Sequence, residues 1–284
     1  MKRIKRLFGL LVFILLLSGC SIAKNSNTIY TTNYPITFIT TYLLGTSENI
    51  ESIYPNDINQ NEYVLTKKLI KQYSNGNIFV YNGLSNEKEY AKKLVNTNHK
   101  LNIIDAGENI SIEHSLVETW LSPNNFMMLA KNIKERLIEY STSQDEIKSI
   151  NENFKLLEIE ISNMDAYLRS ISNELSSPTI IAATSDFKFL EDYGFNIISL
   201  EENMSDNNLA TIKANFKNKK YESILAFNGY ENSELVNSLI NECEAKIVYV
   251  SQIYSLSNDD IAKNENYISL MNSFIETIRN SSVK

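Results

Sequence analysis

Nucleophiles and metal ligands are scarce in this chain: its 284 residues hold two histidines, His99 and His114, and two cysteines, Cys20 and Cys243. His114 lies four residues before Glu118, near enough for the two to share a site, whereas His99 stands beside Lys100 in a turn. Cys243 sits between Glu242 and Glu244, with no adjacent cation to activate a thiolate, and reads as a buried structural thiol. The paired carboxylates Glu201-Glu202 and Asp259-Asp260 are neighbours that point different ways, so they read as solvated surface. The sequence contains no G-x-S-x-G elbow, no H-E-x-x-H and no Cys/His pairing. With only 8 glycines, a phosphate-cradling loop has almost nothing to work with. The many tyrosines read mainly as packing, although a Tyr-lined cleft suits an organic ligand. These residues describe a binding protein rather than an enzyme.

Such side chains need a scaffold, and its most legible part is residues 144–176. Ile147, Ile150, Phe154, Leu157, Ile161, Met164, Leu168, Ile171 and Leu175 recur at steps of three and four with no Gly or Pro between them. That spacing predicts one helix with a continuous apolar face, roughly 45–50 Å long. Irregular core residues and mixed flanking charge disfavour a coiled-coil dimer. The stretch therefore reads as a backbone helix joining two lobes of a monomer.

On either side of it, strands and helices alternate. Strands are predicted at 28–32, 50–54, 77–81 and 101–105, with helices at 34–44, 63–73 and 87–95. After the long helix come strands at 179–183, 196–200, 224–227 and 246–250, with helices at 186–193, 209–216, 231–243 and 267–280. This order predicts an α/β fold of two lobes, each a parallel sheet flanked by helices. Phe79-Val80-Tyr81-Asn82-Gly83 and Leu225-Ala226-Phe227-Asn228-Gly229 echo each other, each followed by an acidic residue and a helix. Asn-Gly alone reads equally as a hairpin turn; the helix that follows favours a β-to-α turn. A ligand cleft is then expected between the carboxyl ends of the two sets of strands.

The amino terminus is an address. Residues 1–20 carry Lys2, Arg3, Lys5 and Arg6, an apolar run from Leu7 to Leu17 too short to span a bilayer, and Leu17-Ser18-Gly19-Cys20, which resembles a bacterial lipobox. Acylation of Cys20 after cleavage would anchor the protein by lipid on the extracytoplasmic face of the cell membrane, with 21–27 as a tether. Losing those four cations takes the formal net charge from −7 to −11. An acidic chain without a basic stripe disfavours nucleic acid.

At this point the chain resembles the zinc- and manganese-binding lipoproteins of ABC importers, the cluster A-I solute-binding family. The resemblance rests on Thr31-Thr32-Asn33-Tyr34-Pro35-Ile36, on Phe79-Val80-Tyr81-Asn82-Gly83-Leu84, on Thr119-Trp120-Leu121-Ser122-Pro123, on Asp192-Tyr193-Gly194-Phe195 and on Tyr267-Ile268-Ser269-Leu270-Met271, in that order. It implies the helical-backbone metal-receptor fold: an N-terminal lobe at 28–143, the linking helix at 144–176 and a C-terminal lobe at 177–284. It also implies a membrane permease as partner and a metal in the cleft. Its usual ligands are three histidines and a carboxylate, a set suited to Zn²⁺ and acceptable to Mn²⁺.

Two histidines cannot fill that set. Aligned on the flanking motifs, the four ligand positions fall on Asn61, Glu118, either Ala183 or Asp186, and Ser251. Oxygen donors of this kind suit a hard ion held weakly, with Glu118 the foremost candidate. Two functions follow: a cargo-binding lipoprotein of a metal importer with an altered site, or a degenerate paralogue that binds another small ligand or a protein partner. Ligand-linked movement is expected to be small and carried by loops around 55–61, 113–119 and 251–260.

Overall fold

The computed structural model describes residues 27–55, 63–175, 178–201 and 204–282. The predicted signal segment with Cys20, most of the predicted tether and Asn61 lie outside the described residues.

The first lobe runs β1 (Ile29–Thr31), α1 (Tyr34–Leu44), β2 (Ile50–Ser52), α2 (Lys67–Tyr73), β3 (Ile78–Tyr81), α3 (Glu87–Thr97) and β4 (Asn102–Asp105). After α4 (Glu118–Leu121) and α5 (Pro123–Tyr140), the long helix α6 spans Gln144–Glu174. The second lobe follows with β5 (Thr179–Ala182), a 3-10 helix (Ser185–Tyr193), β6 (Asn196–Ser199), α7 (Asp206–Lys217), β7 (Ser223–Phe227), α8 (Glu234–Cys243) and β8 (Lys246–Val250). Helices α9 (Asn258–Ala262) and α10 (Tyr267–Ser281) close the chain. The two sheets repeat one topology. Their orders are β2-β1-β3-β4 and β6-β5-β7-β8, and every neighbouring pair is parallel.

Side-chain alternation along the strands builds three layers of core. In β3, Ile78 and Val80 join the central core while Phe79 and Tyr81 face an outer cluster with Tyr30, Tyr54 and Tyr73. In β7, Leu225 and Phe227 face the centre and Ile224 and Ala226 a second outer cluster, where Cys243 is buried. Both sheets are thus covered on both faces, which is why their strands read as continuous apolar runs. The central core is a single cluster that takes in Ile36 of the first lobe and Phe274 of the second.

Helix α6 lies beneath both lobes. Ile150, Leu157, Ile161, Met164, Leu168 and Ile171 of its stripe are buried in the central core, and Phe154 and Leu175 pack against it partly buried. Ser143 caps its start by accepting the Glu146 amide, and Asp145 and Glu146 set negative charge on the positive end of the dipole. It packs on α1, α5 and α10. Asn153 of α6 donates to the Leu43 carbonyl at the end of α1, and Tyr167 donates to Glu276 of α10.

The elements differ from the expected ones mainly at their starts. The helix predicted from 63 begins at Lys67 because Thr66 caps it, accepting the Leu69 amide at 3.3 Å. The one predicted from 231 begins at Glu234, capped by Ser233 in the same way. Residues 185–193 are 3-10 rather than α: Phe187, Leu190 and Tyr193 are all buried at the three-residue repeat that a 3-10 helix eclipses. Helices α4, α5 and α9 were not anticipated. The two Asn-Gly pairs are β-to-α turns, since each lies between parallel strands and ahead of a helix.

Candidate functional site in the interlobe cleft

The loop after β8 meets α4 and the start of α1 across the two lobes, and the expected ligand positions lie on loops at the carboxyl ends of strands. Glu118 opens α4 and is 4% exposed. Its Oε2 accepts the backbone amides of His114 at 3.0 Å and Glu113 at 3.3 Å, so its charge is already spent on folding back the preceding loop. His114 is exposed, and what it gives Glu118 is its backbone N–H. His99 is exposed at the far end of α3.

On the second lobe, Ala183 is buried among the apolar residues behind β5 and its amide donates to the Leu225 carbonyl. Asp186 is half-buried on the 3-10 helix, where Thr184 donates to its Oδ2 at 3.0 Å. Of the two placements, only Asp186 offers a donor. Ser251 follows β8, and its hydroxyl accepts the Ile253 amide at 3.0 Å. Ile253 holds φ at 56°, the left-handed region that β-branched residues avoid. Strain of about 1–3 kcal/mol at such a residue persists only where neighbours enforce it. Here they do. Trp120 donates from Nε1 to the Gln252 carbonyl at 2.6 Å, and the Tyr254 carbonyl accepts the Tyr34 amide at 2.9 Å.

These bonds also tie the lobes together. Tyr193 of the second lobe shares a hydrogen bond of 3.0 Å with Ser122, between α4 and α5, and Tyr267 of α10 donates to the Trp120 carbonyl while its ring stacks on Phe126 at 3.9 Å. The Trp-Leu-Ser-Pro motif is thus the junction of the cleft. Among the described residues no three His, Cys, Asp or Glu side chains converge as a metal site. Glu118, Asp186 and Ser251 contribute oxygen donors, each already engaged by a neighbour. That set fits a hard ion better than Zn²⁺, which favours nitrogen and sulfur.

A second cluster of charge was not anticipated from the sequence. Past the end of β3, Asp105 of β4 accepts the Gly83 and Gly107 amides at 2.8 and 2.9 Å, and a Cβ at Gly83 would fall inside that carboxylate. Glu87, the first residue of α3, is 4% exposed and accepts the Asn82 amide at 2.7 Å. Desolvation pushes its pKa up to about 7, Asp105 adds to the rise, and the Asn82 amide with the Thr32 and Ser85 hydroxyls pulls back. Glu87 also holds up the neighbouring phenols: burial first, then this carboxylate, raises the pKa of Tyr54. The corresponding acidic residue after the second Asn-Gly, Glu231, is exposed, so the repeat of sequence is not a repeat of environment.

Comparison with known proteins places this architecture. The zinc-binding lipoprotein AdcA of Streptococcus pneumoniae is 23% identical over 310 aligned residues, covering 98% of this chain and 61% of AdcA. The chain thus spans about three fifths of that relative's length. The high-affinity zinc uptake system protein ZnuA of Bacillus subtilis is 20% identical over 99% of this chain and 98% of its own. The crystal structure of the Zn(II)-bound ZnuA-like domain of Streptococcus pneumoniae AdcA superposes with a TM-score of 0.71 at 22% identity, covering 92% of this chain and all of that one. Residues 29–281 match the family described as zinc-uptake complex component A, periplasmic, and with two parallel four-stranded lobes on one long helix the chain belongs to that family.

Proposed function

We propose that this chain is the extracytoplasmic cargo-binding component of an ABC importer, lipid-anchored through Cys20, which carries a divalent cation in the interlobe cleft and presents it to a membrane permease. The observation that supports this reading best is the family match along residues 29–281, read together with strand ends and loops that converge on one cleft. The cargo enters as substrate. Glu118, Asp186 and Ser251 are the described residues positioned to meet it, with Asn61 at the remaining position. Because they offer oxygen and each must release or share a present partner, the cleft should hold a hard cation such as Mn²⁺ only weakly, in the millimolar range.

Metal analysis of the mature protein and its melting with added Mn²⁺ or Zn²⁺ test this. Tens of micromolar of either ion should leave the midpoint unchanged. Mn²⁺ at about ten times its Kd should stabilise by about 1.4 kcal/mol, and Glu118→Ala should abolish the gain. Absence of any cation effect through tens of millimolar would remove the metal from this reading.

A further inference from the structure

A cavity of about 450 Å³ opens at the carboxyl end of the first sheet, lined by Asn33, Tyr54, Tyr63, Glu87, Tyr90 and Trp120 among others. Asn33 follows β1 and Glu87 follows β3, and the sheet order β2-β1-β3-β4 reverses direction between those two strands. This is the crevice in which open α/β sheets hold ligands, and its volume is that of a small-molecule site.

Its chemistry is specific. A buried carboxylate forms the polar wall, and no Lys or Arg pairs with it among the described residues. Around it stand four aromatic rings. Tyr54 and Tyr63 meet edge to face at 5.6 Å, and Tyr90 donates its hydroxyl to the Tyr63 carbonyl, which fixes the wall. Tyr90 already carries Lys93 Nζ at 5.7 Å from its ring, whereas no cation stands over Tyr54, Tyr63 or Trp120 among the described residues. Among the described residues, four buried side-chain polar atoms lack a hydrogen-bond partner: Thr32 Oγ1, Asn82 Nδ2, Ser115 Oγ and Thr119 Oγ1. Each belongs to a residue within two positions of one that lines this cavity. The Thr32 hydroxyl meets no full hydrogen-bond geometry, yet it helps to favour the charged form of Glu87.

We propose that this cavity binds a small organic cation of the alkylammonium class, its charge against Glu87 and its alkyl groups against the faces of Tyr54, Tyr63 and Trp120. Aromatic faces and a carboxylate attract the same charge, and both are strongest where water is excluded. The cavity adjoins the cleft at Trp120, but its carboxylate, Glu87, is none of the cleft donors Glu118, Asp186 and Ser251, so the two readings are tested through different residues. Charged and titratable groups facing Glu87 are Asp105 from β4 and the phenols of Tyr54 and Tyr90, none of them cationic. Lys93, held over the Tyr90 ring, is the one cation placed on this wall among the described residues, and a cation bound against Glu87 must draw off its proton. Affinity should fall as the carboxyl protonates, about a hundredfold from about pH 8 to about pH 5.

Trp120 is the single tryptophan of the sequence and lines the cavity, so its emission reports binding directly. The probes are choline and 3,3-dimethylbutan-1-ol, which share a shape and differ in charge. Choline should give a saturable change in wild-type emission, the neutral alcohol none at the same concentration. Glu87→Gln should weaken choline at least tenfold, and Tyr63→Ala several-fold without touching the carboxylate. Equal response to both probes, no saturable response to choline, or undiminished affinity in Glu87→Gln would each overturn the proposal. Melting with Mn²⁺, which reads the cleft, separates this failure from failure of the importer reading.

Discussion

Glu87 makes folding stability depend on pH in a direction opposite to that of most carboxylates, and the size of the effect follows from its burial. Its pKa stands at about 7 in the folded protein against an ordinary value of 4.5. Below pH 4.5 the group is protonated in both states and has no effect. As pH rises from there toward 7 the unfolded chain ionises first, and stability is lost; above 7 the loss is complete. At 1.36 kcal/mol per pH unit of difference, the full penalty is about 3 kcal/mol. Glu87→Gln removes the titration and keeps the shape, with an amide oxygen able to accept the Asn82 N–H. The stability of the variant relative to wild type should therefore climb by about 3 kcal/mol between about pH 4.5 and about pH 8, most steeply from 5 to 7. Urea unfolding of both proteins across that range, without added amines, measures the difference and cancels every other titrating group. Parallel profiles, or a difference that grows toward acid, would refute the assignment of a desolvated, cation-free carboxylate.

Three further outcomes follow from particular contacts. Gly83→Ala would drive its methyl into the Asp105 carboxylate, breaking that group's bonds to the Gly83 and Gly107 amides; a loss of about 2–4 kcal/mol in urea unfolding is expected. Tyr193→Phe removes the hydroxyl shared with Ser122 and approached by the Asn124 amide, and should cost about 1–2 kcal/mol with an unchanged m-value. Ile161→Ala opens a cavity in the middle of α6, where the side chain is 1% exposed; about 2–5 kcal/mol should be lost in one transition seen alike by circular dichroism and Trp120 emission, because the central core is common to both lobes.

The parts of the fold that were legible in the sequence are those set by local periodicity. Strands buried on both faces appear as apolar runs such as Ile78-Phe79-Val80-Tyr81 and Ser223-Ile224-Leu225-Ala226-Phe227, and α6 by its three-four stripe. Helix α5 was equally marked, with Phe126, Leu129, Ala130, Ile133 and Leu137 on one face. What hides it is Pro123, a breaker in most places but a favourable first residue of a helix, where its missing N–H is no loss. The site was less legible, because its chemistry comes from long-range burial. A glutamate in the first turn of a helix, as Glu87 is, ordinarily means solvated charge on a helix dipole. Only the sheet and the tyrosines folded over it turn that residue into a buried acid. Glu118 shows the reverse: its position as a ligand candidate follows from motif spacing, while its bonds to the His114 and Glu113 amides depend on a loop geometry that no spacing encodes.

How the cleft can move is constrained by what already crosses it. Opening the lobes as rigid bodies would break Trp120 to Gln252, Tyr34 to Tyr254 and Ser122 to Tyr193 together, and would split a core that runs from Ile36 to Phe274 across α6. Each buried hydrogen bond left unmade costs about 1–3 kcal/mol, and weak binding of a cargo supplies too little to offset three of them. Ligand-linked change must then stay within the loops. Loop 113–119 is restrained mainly through Glu118, so a cation that draws this carboxylate away frees the Glu113 and His114 amides in the same step. Loop 251–254 is held from the other lobe through strained Ile253, and its release lowers strain instead of raising it. A charge bound in the cleft as proposed would then be answered by the two loops from opposite sides while α6 and the shared core stay fixed.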